Sequence, residues 1–238
     1  MTATNTTHNP KYFHILCIIY TTIMIATFAM GTRLIPLAIP HTQIEIPIFG
    51  GTLLFPALFF FQDVITEVYG YARSRQLAWF ISFALIFFVG YAYLIIHFPS
   101  PSYWHRNEAF YAIYSNLPRH LFALIIALFT GSIVNDYLMS KTKIKLRGRY
   151  LWMRSIGATM VGEAVLQIIA CSFAWLGTLH FSTQILPQIM FCYTYKIIFE
   201  VACIPFTYIL SISLKKAEQI DYYDYHTNFN PFIFKMGA

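Results

Sequence analysis

The chain has 238 residues, 58% of them hydrophobic and 11% charged, with sixteen basic against ten acidic side chains and a formal net charge of +6. A soluble domain needs roughly a quarter of its residues charged to cover its exterior, so this composition excludes an ordinary globular protein and places the chain in a bilayer. The basic residues fall in short segments between apolar runs rather than along one polar face, which argues against a nucleic-acid partner and gives them a topogenic role.

A spanning helix needs about 20 mainly apolar residues, and six segments qualify. The first, residues 13–31, follows a polar start carrying Lys11; with further spans after it, it reads as an anchoring helix rather than a cleaved signal peptide. The second, 47–69, is the least regular, because Pro47, Gly50, Gly51 and Pro56 crowd its entry and leave part of it extended or re-entrant. It runs into "FFFQDVITEVYGYARSR" at 59–75, which sets Asp63 and Glu67 directly after an apolar stretch. The third, fourth and fifth spans are read at 77–98, 117–139 and 150–176. The sixth, 184–214, contains Pro187 and Pro205, and a kink or break is expected near one of them. The tail "DYYDYHTNFNPFIFKMGA" is polar and aromatic and is expected to be interfacial or loosely ordered.

The expected class is therefore an all-α polytopic membrane protein: an N-terminal segment at 1–12, a six-helix domain at 13–216 and a tail at 217–238. Arg73 and Arg75, the run from Lys141 to Arg154, and Lys215 with Lys216 all fall on one side of such a bundle, while the opposite loops hold Arg33, Arg106 and Arg119. The basic side is then cytoplasmic, with both termini inside. Trp79, Tyr103, Trp104, Tyr150 and Trp152 sit near helix ends, as interfacial aromatics do. The four cysteines lie in apolar stretches without a C-x-x-C pair, so neither zinc nor a disulfide framework is indicated.

Ionisable residues at membrane depth are few: Asp63 and Glu67 in the second span, Asp136 late in the fourth, Glu163 in the fifth, and Lys196 and Glu200 in the sixth. Each charge at the bilayer centre costs about 2.5–3.5 kcal/mol on insertion scales, so the set is expected to face a shared polar cavity. Asp63 and Glu67 are four apart and share a helix face; Lys196 and Glu200 have the same spacing and can neutralise each other as an internal ion pair. Gln167 stands one turn beyond Glu163. None of the eight histidines is clearly mid-helix, which disfavours a bis-histidine haem. No phosphate-loop, H-E-x-x-H or G-x-S-x-G motif is present, so an enzyme is not expected, and no metal or other cofactor is indicated.

At "FPALFFFQDVITEVYGYARSRQLAWF", residues 55–80, the chain resembles the queuosine precursor transporter family of six-span bacterial inner-membrane proteins. The hallmark of that family is a D-V-I-T-E-V-Y-G-Y run followed by basic residues, and Asp63 to Tyr71 reproduces it residue by residue. "GRYLWMRSIGATMVGE" at 148–163 and "YKIIFEVACIPFTY" at 195–208 are similar to the family's entry to span five and its Lys-bearing last span, so the resemblance runs from about residue 11 to 216. Two departures bear on the site. Where the pattern has an Asp late in span four, this chain has Asn135 followed by Asp136, with Ser132 where Gln is common. In span five the usual Gln and Asp read as Glu163 and Leu166.

The resemblance implies import of a 7-deazaguanine base such as preQ0, preQ1 or queuine for salvage into transfer RNA. The protein partners implied are a small-molecule substrate and the lipid bilayer; homo-oligomerisation is left open. A guanine-like base presents a ring N–H and an exocyclic amine as adjacent donors, which one carboxylate accepts together, and preQ1 adds a cationic aminomethyl group. The candidate substrate-binding residues are Asp63, Glu67, Asn135, Asp136, Glu163, Gln167, Lys196 and Glu200, with Lys196 and Glu200 holding or gating the cavity. Two alternatives stay open: a substrate-binding membrane subunit that needs a separate ATPase, and a membrane assembly factor whose buried acids only lock helices together.

Overall fold

A computed structural model describes residues 10–38, 45–175 and 177–233. Residues 1–9 of the expected N-terminal segment, residue 176 at the end of the expected fifth span and residues 234–238 of the tail lie outside it. Helix α1 (Phe13–Met30) leads into an antiparallel hairpin of β1 (Leu34–Ala38) and β2 (Glu45–Phe49), in register Leu34↔Phe49 through Ala38↔Glu45. A 3-10 turn at Gly50–Leu53 then delivers the chain to α2 (Pro56–Tyr69), with Pro56 at the first helical position, where its missing N–H costs no bond.

The second span thus differs from a full crossing helix. Its first part, from Pro47, is strand and 3-10 turn, as the clustered Pro and Gly foretell, and the helix that remains has 14 residues, about 21 Å of rise. Helix α2 ends at Gly70, whose φ of +83° turns the chain sharply into α3 (Tyr71–Ile96). A Cβ there would lie 2.4 Å from the Tyr222 ring, so both conformation and space call for glycine.

Helices α4 (Asn107–Tyr114), α5 (Leu117–Ala127) and α6 (Ile133–Lys145) follow, α5 and α6 being joined through a π-helical turn at Leu128–Ser132. Then come α7 (Leu151–Trp175), a second π turn at Phe181–Ile185 and α8 (Leu186–Glu218). Helix α8 starts with Pro187 in its first turn and remains helical through Pro205, so neither proline ends it. Among the described residues five helical stretches are long and apolar enough to cross a membrane: 13–30, 71–96, 107–145, 151–175 and 181–218.

Packing is centred on α7, which lies against α5, α6 and α8, while α2 is wedged between α8, α6, α3 and α1. The apolar core joins Leu58, Val64, Ile65 and Val68 of α2 to Tyr20 and Met24 of α1 and Leu77, Ile81 and Leu85 of α3. Outward faces carry Ile18, Phe87, Phe122, Ile198 and Phe206, all exposed, whereas Asp63, Asp136, Arg154, Glu163, Lys196 and Glu200 are buried. Apolar outside and ionisable inside is the arrangement of an all-α polytopic membrane protein. The described part of the tail, up to residue 233, is bonded to the bundle rather than loose: Asp224 accepts from the Tyr71 backbone N–H at the start of α3, Arg75 donates to the carbonyls of Asn228 and Asn230, and Trp79 donates to that of Pro231.

Candidate functional site

The buried polar side chains form three groups along the bundle. At the end that carries the 141–149 loop, Glu67 is the centre of an ionic cluster. Its Oε2 accepts from Arg154 Nη1 at 2.8 Å and its Oε1 from Lys215 Nζ at 2.6 Å, with Lys143 Nζ 3.7 Å away. Lys143 also donates to the Glu67 and Tyr222 carbonyls and, at 2.7 Å, to Asp221, which lies 2.9 Å from Lys215. Burial alone would raise the Asp221 carboxyl, but the two lysines outweigh it and hold the group below the ordinary carboxylate range. Glu218 belongs to the same end: its carboxylate accepts the N–H groups of Lys11 and Tyr12, so the start of α1 meets the end of α8.

The middle group draws on five helices. The i, i+4 spacing of Asp63 and Glu67 puts both on the inner face of α2, but one turn separates their partners. Asp63 accepts from Asn135 Nδ2 at 2.9 Å and meets the Ser155 hydroxyl, which also lies 2.5 Å from Glu200 Oε1. Asp136, one position round α6 from Asn135, faces away from that pair. It lies 3.0, 2.9 and 2.7 Å from Gln62 Nε2, Thr66 Oγ1 and Ser74 Oγ, the Thr66 hydroxyl also reaching the Gln62 carbonyl. Close approach of α6 to α7 comes from Gly162, where a Cβ would stand 2.7 Å from that of Asn135.

The third group is nearest the far end. Lys196 forms its ion pair with Glu163 on α7, donates to Gln167 Oε1 at 3.0 Å, and stands 4.0 Å from the centre of the Phe55 ring. The expected Lys196–Glu200 pair is therefore absent. Residues four apart on α8 diverge because α7 supplies each with a nearer partner, an acid for Lys196 and a hydroxyl for Glu200.

Above Lys196 and Gln167 opens a cavity of about 150 Å³. Its walls come from α1, the 3-10 turn, α5 and α7; Phe49 and Trp175 stack at 4.5 Å with their planes 8° apart, and the His120 ring lies 4.7 Å from Trp175. Thr27 and Thr52 add hydroxyls, and that of Thr27 has no hydrogen-bond partner among the described residues. An apolar cavity of this size holds one small aromatic ring system.

Of the eight candidates, Gln167 and Lys196 line the cavity, and Glu163 is held directly behind Lys196. Asp63, Asn135 and Glu200 meet in the middle group, Asp136 lies beside it, and Glu67 belongs to the ionic cluster at the other end. Sequence reasoning set His120 aside with the histidines near span ends, did not single out Trp175, and took Lys143, Arg154 and Lys215 as topogenic. Arg154 did carry a signal, a guanidinium four residues inside an apolar helix.

Residues 49–210 match the family model described as "Putative vitamin uptake transporter". The chain belongs to this family. The matched range holds α2 to most of α8 and thus all three polar groups except Lys215 and the tail. The family is one of transporters, in agreement with the expectation that this is not an enzyme. A protein of Bacillus subtilis (strain 168) named "Probable queuosine precursor transporter" is 29% identical over 130 residues, 53% of this chain. The match spans 56% of that relative's length, a little over half. No solved structure matches.

Proposed function

We propose that this member of the vitamin uptake family imports a 7-deazaguanine base, a queuosine precursor such as preQ0, preQ1 or queuine, across the cell inner membrane for salvage into transfer RNA. The observation that carries the reading is the cavity floored by Lys196 and Gln167 and walled by the Phe49–Trp175 stack. A 7-deazaguanine is flat and aromatic, with one carbonyl acceptor beside two donors, the ring N–H and the exocyclic amine. The Lys196 ammonium donates to the carbonyl, and Gln167 Oε1 accepts from the donor edge. Glu163 Oε2, buried and without a partner among the described residues, is a second acceptor once the ammonium turns toward the base. Aromatic walls suit the flat faces of a base. The printed name of the Bacillus subtilis relative supports the same substrate class.

Basic residues gather at the end closed by the Glu67 cluster, and the positive-inside rule makes that end cytoplasmic and the cavity outward-facing. The meeting of α1 and α8 at Glu218 supports an even number of crossings, with α2 and its preceding hairpin as the sixth beside five long helices. Both termini are then inside, flanking the transporter domain at 13–216. Transport alternates this outward state with one in which the Glu67 cluster opens.

Equilibrium binding to the purified protein over preQ0, preQ1, queuine and guanine tests the reading. Saturable binding of a 7-deazaguanine, lowered at least tenfold in Gln167→Leu, is expected; no binding of any of the four overturns it.

A further inference from the structure

We propose that Asp63 and Glu200, bridged by the Ser155 hydroxyl, hold one exchangeable proton between them, and that this site couples import to proton entry. The proposal rests on the import reading for its direction, but the site itself follows from counting hydrogens. Ser155 Oγ lies within hydrogen-bond distance of Asp63 Oδ2 and of Glu200 Oε1. A hydroxyl carries one hydrogen and donates one bond, so the second oxygen contact needs a hydrogen from a carboxyl group.

The surroundings leave neither carboxyl comfortable as a second charge. Asp63 Oδ1 already accepts from Asn135, so with Ser155 donating to Oδ2 the ionised Asp63 has a donor at each oxygen. Glu200 Oε2 is buried with no partner among the described residues, a poor place for a carboxylate charge. One hydrogen is therefore shared within the Asp63–Ser155–Glu200 chain, held by one of the two carboxyl groups while the other keeps the charge.

Other buried acids nearby have partners other than a second carboxylate. Glu67 has Arg154, Lys143 and Lys215; Glu163 has Lys196; Asp136 has Gln62, Ser74 and the Thr66 hydroxyl, which also reaches the Gln62 carbonyl. Neither Asp63 nor Glu200 forms an ion pair with lysine or arginine among the described residues. The titratable groups facing the pair are Tyr20 of α1 and Asp136 of α6, with Cys203 on α8 itself. The Glu67–Arg154 and Glu163–Lys196 ion pairs flank it along the bundle.

The placement suits coupling, because the pair lies between the cavity floor and the Glu67 cluster. When that cluster opens, the carboxyl O–H bond of the pair breaks and the proton passes to cytoplasmic water. Two carboxylates then share one hydroxyl, an arrangement like charges disfavour, and a proton taken from the outer side restores the outward state. One O–H bond is broken and one formed per cycle, with one proton carried inward.

Two measurements test this. Infrared difference spectra of the purified protein in lipid, compared in light and heavy water at neutral pH, are expected to show the C=O band of a protonated carboxylic acid that Glu200→Gln removes and Asp136→Asn and Glu163→Gln retain. No such band in the wild type, or one unchanged in both Glu200→Gln and Asp63→Asn, overturns the site. In proteoliposomes clamped at zero potential, an inward gradient of one pH unit is expected to drive the uncharged base preQ0 to roughly tenfold accumulation, as one proton per base requires. Glu200→Gln then reaches only equal concentrations. Wild-type uptake that equilibrates at equal concentrations under any gradient overturns the coupling. No preQ0 uptake at all overturns the import reading instead; the proton site then stands if the band is present and falls with it if absent. Should Glu200→Gln fail to fold, the wild-type band and gradient dependence still decide.

Discussion

The Lys196 ammonium stands among the Glu163 carboxylate, the Gln167 amide oxygen and the Phe55 ring, so removing it leaves Glu163 buried without its cation. Breaking one partner of a buried ion pair costs about 3–5 kcal/mol. Lys196→Met is expected to lower the stability of the detergent-purified protein by that order, read as a fall in its thermal midpoint, and adding Glu163→Gln to recover most of the loss. A double variant no better than the single one would show that the pair is not the source. At this scale the sequence was informative in kind and silent on partners. An acid in an apolar run announces its own cost, so Asp63, Glu67, Glu163 and Lys196 were all legible as interior residues. Spacing along one helix could not reveal that Lys196 turns to α7, since that depends on which helix lies nearest. His120 and Trp175 gave no signal, because aromatics near helix ends are ordinary interfacial anchors.

Among the elements, α7 carries most of the packing, and its contact with α6 depends on Gly162. A Cβ there would meet Asn135 Cβ at 2.7 Å and the Gly131 carbonyl at 2.8 Å, backbone and near-backbone atoms that cannot swing away. Gly162→Val is expected to cost about 1–3 kcal/mol, the usual range for overpacking, and to move Asn135 off Asp63. The check is a lowered thermal midpoint together with weakened 7-deazaguanine binding; an unchanged midpoint would mean that the helices part without loss. Apolar run length located the long helices to within a few residues at most ends. It was not enough at the second span, where Pro and Gly had to be read as well, or at the tail, where it could not show the bonds to α3. Prolines and glycines convert the entry of α2 into strand and 3-10 turn, shortening the helix that hydropathy alone extends to Pro47. The tail looks disposable from composition, yet Asp224, Asn228 and Asn230 supply the bonds that the start of α3 and Arg75 require.

For the whole molecule, a cavity lies at one end and an ionic closure at the other, which on the proposed orientation is an outward-facing state. The closure has a pH signature through Asp221. Its folded carboxyl is held below the ordinary value, so its contribution is fully present above the unfolded value of about 3.9 and is lost as pH falls through the folded one. The stability advantage of the wild type over Asp221→Asn is therefore expected to be constant from neutral pH down to about 5 and to shrink below about 4. A difference independent of pH across that range would remove Asp221 from the closure. The central claim, import of a queuosine precursor through the outward cavity, meets its most direct test in a strain that can neither make nor take up the base. With this chain expressed and preQ0 supplied, queuosine measured in transfer RNA is expected to be restored, and to fall at least tenfold in Gln167→Leu at equal membrane expression. Transfer RNA that stays unmodified with the wild-type chain in the membrane, at any external preQ0, preQ1 or queuine concentration, would contradict the account.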